Sequence, residues 1–309
     1  MTNVGSNEPR ASRNERREAA REKARVLREE QKKRDKRNKV LIQGGVIVAV
    51  LLVAALVGWL IFNSIKPAGP GPANMASDGI LLVAGDEGGI TAVETPAIKA
   101  GGEPTATVPD DSGTVANIVT YIDYLCPFCG QFETTNSEAM RTMVESGAAT
   151  LEIHPIAILT NKSAGTQYSL RAANAAACVA DLSPEAFFDY NALLFENQPE
   201  EGTVGLGNSD LKKLAGDAGA ASSVNACIDD VRFKAWVQDA TTRALTGPIP
   251  NSELASVTGT PTVLVNGQQY SGSLTDAQEF QSFVVQATSA TFNDAESTPT
   301  PTPTPTPAQ

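Results

Sequence analysis

The sequence is poor in the side chains that most enzymes use. It holds one histidine, four cysteines and two tryptophans in 309 residues, and aromatics make up 6%. A lone histidine leaves no metal site built on paired imidazoles and no obvious partner for a hydrolytic nucleophile. Basic residues are also scarce beyond position 39, where 10 Lys/Arg face 28 Asp/Glu. That balance excludes a nucleic-acid surface on the main part of the chain. Charge of either sign is missing altogether from residues 40–62, "VLIQGGVIVAVLLVAALVGWLIF". No soluble surface is built from such a run.

As a helix, those 23 residues span about 34 Å, enough for a bilayer core. Trp59 near the far end suits the interfacial aromatic belt. A cleaved signal peptide is the rival reading. It would have a shorter apolar region and a small-x-small cleavage site, and "ANMAS" at 73–77 is a poor match. Residues 1–39 carry 14 Lys/Arg against 7 Asp/Glu. By the positive-inside rule this segment stays in the cytoplasm and residues 63–309 lie outside. All four cysteines then sit in an oxidising compartment, and their even count agrees with two pairs.

The expected organisation is a basic cytoplasmic segment (1–39), a transmembrane helix (40–62) and a Pro/Gly spacer (63–77). A compact domain (78–292) and a Thr/Pro-rich tail (293–309) of extended polyproline-II character follow. Within the domain, residues 79–85 and 115–125 read as strands, the second running into the cysteine pair. A helix follows from Pro127 to about Ser146, stopped by Gly147. Residues 149–159 read as a strand and 165–245 as a run of helices. "TPTVLVNGQQYSG" (260–272) reads as a hairpin turning at Asn266-Gly267, and 274–288 as a closing amphipathic helix. The order predicts an α/β fold.

The chemistry centres on "YLCPFCGQF" (124–132). Cys126 and Cys129 could bind metal, staple the fold or exchange electrons. A zinc site would need a second knuckle or paired histidines, and the other two cysteines lie 49 residues apart. A staple closing so short a loop removes little unfolded-state entropy. Thiol–disulfide exchange fits best. A strand leading to Cys126 and a helix starting at Pro127 put the first sulfur at a helix N-terminus. Unpaired N–H groups and the macrodipole stabilise a thiolate there. Proline suits the first helical position, having no N–H to lose. Cys129, one turn on, is placed to attack a mixed disulfide at Cys126. The Cys126 thiolate is expected to be exposed and Cys129 shielded.

These features resemble the thioredoxin superfamily, and within it the DsbA-type disulfide oxidoreductases, across about residues 115–290. The match is carried by Cys126-Pro127-Phe128-Cys129 at a strand–helix junction, by the helical insertion at 165–245, and by "TGTPTVLVNG" at 258–267. The resemblance implies a thioredoxin-like fold and a cis-proline loop at Thr260-Pro261 facing the cysteines and contacting substrate. The anchor and Ala-rich exported domain look like membrane-anchored actinobacterial members. Those often carry a second pair, here Cys178 and Cys227, as a structural disulfide in the insertion. No cofactor and no metal are implied. The implied partners are exported proteins with free thiols and a quinone-linked membrane re-oxidant of the DsbB or VKOR type.

Two departures bear on tuning. Phe128 stands where the best-known strong oxidase of the family has histidine, which implies a lower potential. The family's proton-handling acid has no match at Thr120, and the nearest carboxylate is Asp123, either tuning the thiol or facing solvent. His154 is expected at a surface or strand end, and Phe187, Phe188, Tyr190 and Phe195 in the helical core. The leading function is an oxidase donating the Cys126–Cys129 disulfide. An extracytoplasmic reductase or isomerase, and a non-catalytic thioredoxin-fold binding or assembly factor, are the alternatives.

Overall fold

A computed structural model describes residues 13–64, 69–86 and 88–297. Residues 1–12 of the basic segment, 65–68 of the spacer, residue 87 and the tail from 298 onward lie outside the described residues. The chain divides after Pro67 into two units.

The described residues of the first unit form one helix, α1 (Arg13–Ser64), which carries residues 13–39 of the basic segment and the apolar run. Among the described residues it is the one helix long and apolar enough to cross a membrane, with a window of mean hydropathy 2.8. None of that window is buried against protein.

The second unit is built on a six-stranded sheet: β1 (Ile80–Ala84), β2 (Ile90–Ala92), β3 (Ala116–Ile122), β4 (Ala149–Pro155), β5 (Thr262–Val265) and β6 (Gln268–Gln269), in the order β2-β1-β4-β3-β5-β6. β3 and β4 run parallel, joined through α2 (Pro127–Glu145), and every other pairing is antiparallel. The β5–β6 turn has Asn266 at φ 48° and Gly267 at φ 77°. Both are left-handed, as a two-residue hairpin of this hand requires. α8 (Ala277–Ser297) closes the fold.

Period-two alternation on β3 feeds two cores. Ala116, Ile118 and Ile122 face the main core, where Phe132 of α2 meets Phe280 of α8 edge-on at 5.2 Å. Tyr121 faces a smaller cluster with Ile156, Leu264, Ala244, Ile249 and Val257. Between β4 and β5 lie α3 (Tyr168–Leu182), α4 (Phe187–Glu196), α5 (Asn208–Asp217), α6 (Val224–Asp229) and α7 (Lys234–Thr246). α3 is buried nearly all round, its alanines 172, 173 and 175–177 letting neighbours approach closely. Cys178 of α3 is bonded to Cys227 of α6, with Cα atoms 5.8 Å apart. Phe187, Phe188, Tyr190 and Phe195 are buried in the helical core.

Three local expectations change. β2 pairs with β1 in the stretch between the two expected strands at 79–85 and 115–125, where no strand is read from the sequence. Residues 69–77, expected as spacer, fold onto the domain. Gly71 N–H donates to the Ile98 carbonyl (2.7 Å), Ala73 N–H to Asp181 (2.8 Å), and Met75 is fully buried. His154 is at a strand end but not at the surface. It stacks on its cross-strand neighbour Tyr121 at 4.3 Å, with Nε2 3.3 Å from Glu152, and Gly79 covers the ring.

Candidate active site

β3 stops at Ile122, four residues before Cys126, so the strand does not reach the cysteine as expected. Asp123 makes the connection by folding residues 123–126 into a turn. Its carbonyl accepts from Cys126 N–H (2.9 Å). Its carboxylate accepts from Leu125 N–H (2.9 Å), Leu159 N–H (2.8 Å) and the Ser169 hydroxyl (2.7 Å). Asp123 is fully buried, which overturns the solvent-facing reading. Burial raises its pKa, and these three donors partly oppose that.

Cys126 then occupies the N-cap of α2, with extended backbone (φ −75°, ψ 117°), and Pro127 takes the first helical position. Cys129 follows one turn later, and its sulfur accepts from the Asp123 N–H at 3.5 Å. Opposite lies the Thr260-Pro261 peptide, which is cis. The Cys126 thiol donates to the Thr260 carbonyl at 3.1 Å. With this loop over it, Cys126 is 5% exposed rather than open, whereas Phe128 stands 58% exposed beside it.

The two thiols are pulled in opposite directions. Cys126 is lowered to about 6, chiefly by the Cys129 thiol acting as donor and against the cost of burial. The Thr260 side chain and the N–H groups of Cys129 and Phe128 add to the lowering. Cys129 is pushed well up, first by burial and then by donating to Cys126. One sulfur is thus a stable thiolate near neutral pH and its neighbour a retained thiol. The Thr260 hydroxyl is buried with no hydrogen-bond partner among the described residues. A thiolate at Cys126 is the acceptor it lacks.

A family model described as Thioredoxin matches residues 111–286. The chain belongs to the thioredoxin family. Among solved structures, oxidised DsbA of Mycobacterium tuberculosis is 28% identical, with a TM-score of 0.50, covering 70% of this chain and 99% of that one. Reduced DsbG of the same organism is 29% identical, with a TM-score of 0.49, covering 74% and 97%. MdbA of Corynebacterium diphtheriae, a thiol–disulfide oxidoreductase, is 19% identical, with a TM-score of 0.48, covering 72% and 94%. No curated protein matches the chain. The thioredoxin-family fold with a helical insertion between β4 and β5 is the arrangement that the motif order indicates, and it is similar to that of oxidised DsbA.

One buried group of this thioredoxin-family site escapes the motif reading. Glu133, four residues after Cys129 on α2, is fully enclosed and accepts from Asn191 Nδ2 at 3.2 Å. Asn191 in turn accepts from the Tyr124 hydroxyl at 3.0 Å. The other Glu133 oxygen has no partner among the described residues, and burial pushes the carboxyl up to about 7. The signal was present in the helix period, since Cys129, Phe132, Glu133, Asn136 and Met140 share the buried face.

Proposed function

We propose that this protein is a membrane-anchored thiol–disulfide oxidase acting outside the cytoplasm on exported proteins. The observation that carries the reading is the opposed pair: a low-pKa sulfur at a helix N-terminus backed by a buried, high-pKa one. A substrate thiolate attacks Cys126 Sγ of the disulfide form, and Cys129 leaves with the electron pair and takes up a proton. A second substrate thiolate attacks the substrate sulfur of the mixed disulfide and expels Cys126. The substrate gains one disulfide and the enzyme becomes a dithiol, two electrons reduced.

A thiolate with a pKa near 6 is a good leaving group, so the second step favours release of oxidised substrate. The reverse direction needs nucleophilic attack by Cys129, whose thiolate is disfavoured by its burial. Thr260 and Pro261 would face the substrate chain entering over Cys126, and the exposed Phe128 gives that approach an apolar edge. The Cys178–Cys227 bridge lies in the insertion and takes no part in exchange.

The basic stretch ahead of the apolar run of α1 supports an N-terminus in the cytoplasm and a catalytic domain outside. Turnover then requires a membrane-borne oxidant, of the quinone-linked DsbB or VKOR class, to take two electrons from the dithiol. The test is oxidation of a reduced, unfolded protein by the pre-oxidised full-length enzyme. The expected result is stoichiometric disulfide transfer, lost in both Cys126→Ser and Cys129→Ser, while reduced Cys129→Ser offered a disulfide-bonded substrate is trapped as a mixed disulfide through Cys126. No transfer by the wild type would end the oxidase reading.

A further inference from the structure

The helical insertion reaches the redox turn at one point. The last turn of α4 sets Asn197 and Gln198 at its end, with Gln198 N–H donating to the Phe195 carbonyl at 3.2 Å. From there the Gln198 carboxamide extends back to the turn before α2. Its Nε2 donates to the Tyr124 carbonyl at 3.1 Å and to the Cys126 carbonyl at 2.9 Å. Both hydrogens of the NH2 group are thereby used. The Cys126 carbonyl also accepts the first bond of α2, from Gly130 N–H at 3.1 Å.

Gly130 supplies a second, independent observation. It lies inside α2, where glycine is the poorest former after proline, and its backbone is not in the left-handed region. Conformation therefore gives no reason for a glycine. Space does: a Cβ at position 130 would fall 2.3 Å from Gln198 Oε1. The helix gives up a better residue at this point, and what it admits is the Gln198 side chain. The same end of α4 grips the turn again through Tyr124, which packs on Phe195 at 5.1 Å and donates to Asn191.

We infer that Gln198 is a positioning residue for the redox turn, fixing the Tyr124 and Cys126 carbonyls so that the Phe128 and Cys129 N–H groups stay directed at Cys126 Sγ. Gly130 is its receptor. The reactivity of Cys126 is then set partly by the insertion and not by the Cys-Pro-Phe-Cys segment alone. The inference rests on Cys126 being the sulfur that forms the mixed disulfide with substrate, and it holds for either direction of electron flow.

The test is a cycle of Gln198→Met, Gly130→Ala and the double variant in the full-length, detergent-solubilised protein. Gln198→Met keeps the stem and loses both donors. Gln198→Glu, of the same shape, sets a carboxylate against the two carbonyls. The readout is the Cys126 pKa, from the pH profile of alkylation of the reduced protein. Gln198→Met and Gly130→Ala should each raise it by about one unit, as loss of oriented donors to a thiolate does. The double variant should rise no further than either single, and Gln198→Glu should rise at least as much.

Thermal melts should also show Gly130→Ala destabilising the wild type but stabilising a Gln198→Ala protein, where the space is vacant and alanine only improves the helix. An unchanged pKa in both Gln198 variants, or a Gly130→Ala effect of the same size in both backgrounds, would overturn the inference. Failure to oxidise dithiols alongside the expected pKa shifts would sink the oxidase reading and leave this one standing.

Discussion

Replacing Thr260 with valine removes one hydroxyl and nothing else of similar size. The carbonyl that accepts from the neutral Cys126 thiol at 3.1 Å remains, so the protonated state loses no hydrogen bond. The thiolate loses a donor that contributes to its lowered pKa. Hydrogen bonds to ionised groups contribute about 1.5–3 kcal/mol. This one is secondary to the Cys129 thiol, so a shift of about one unit, roughly 1.4 kcal/mol, is expected. Cys126 would then titrate near 7 instead of about 6. At pH 7 the ratio of thiolate to thiol falls from about ten to about one, and the reduced enzyme loses about 1 kcal/mol of ionisation free energy. For a two-electron couple that lowers the potential by about 20 mV. Alkylation against pH gives the pKa, and glutathione equilibration gives the potential. A Thr260→Val protein whose Cys126 pKa stays within about 0.2 units of wild type would refute the donor role, given shifts of a unit for such bonds.

Glu133 makes a pH prediction of definite sign. Its folded-state carboxyl titrates near 7, above its ordinary value, so the folded protein holds a proton that the unfolded chain releases. Stability should fall as pH rises from about 4.5 to about 7, by up to about 3 kcal/mol relative to Glu133→Gln, with no further divergence above. Parallel slopes for both proteins in urea melts would contradict this. Asp123→Ala strips the acceptor from two backbone N–H groups and Ser169. It should cost about 3 kcal/mol or more in chemical denaturation. The double change Cys178→Ser, Cys227→Ser opens a 49-residue closure and should cost about 4 kcal/mol in the chain-entropy model, while Cys126 keeps its pKa. Phe128→His places an ionisable ring at an exposed position beside the thiolate, and should raise the potential most at acid pH.

Much of the scaffold is legible from periodicity and punctuation. Pro127 marks the first residue of α2, Gly147 sits just past its end at φ 73°, and Asn266-Gly267 turns the hairpin. These are local signals with local causes. What the sequence hides is set by contacts distant along the chain. His154 reads as a surface residue because nothing in its own segment shows that Gly79, far back along the chain, covers its ring. Asp123 offers no sign that Leu159 and Ser169 converge on its carboxylate. Cys126 is enclosed by a loop 134 residues away, so its exposure could not be judged from its neighbours. Gln198 belongs to no motif at all, and its link to the turn exists only once the insertion has folded.

Whether the Cys126–Cys129 pair acts as an oxidant is read from its reduction potential. The full-length protein is equilibrated in graded glutathione buffers and the thiols trapped and counted by mass. The expected value is near or above about −180 mV, in the range of protein oxidants and isomerases. A value near or below about −270 mV, that of thioredoxin, would contradict it.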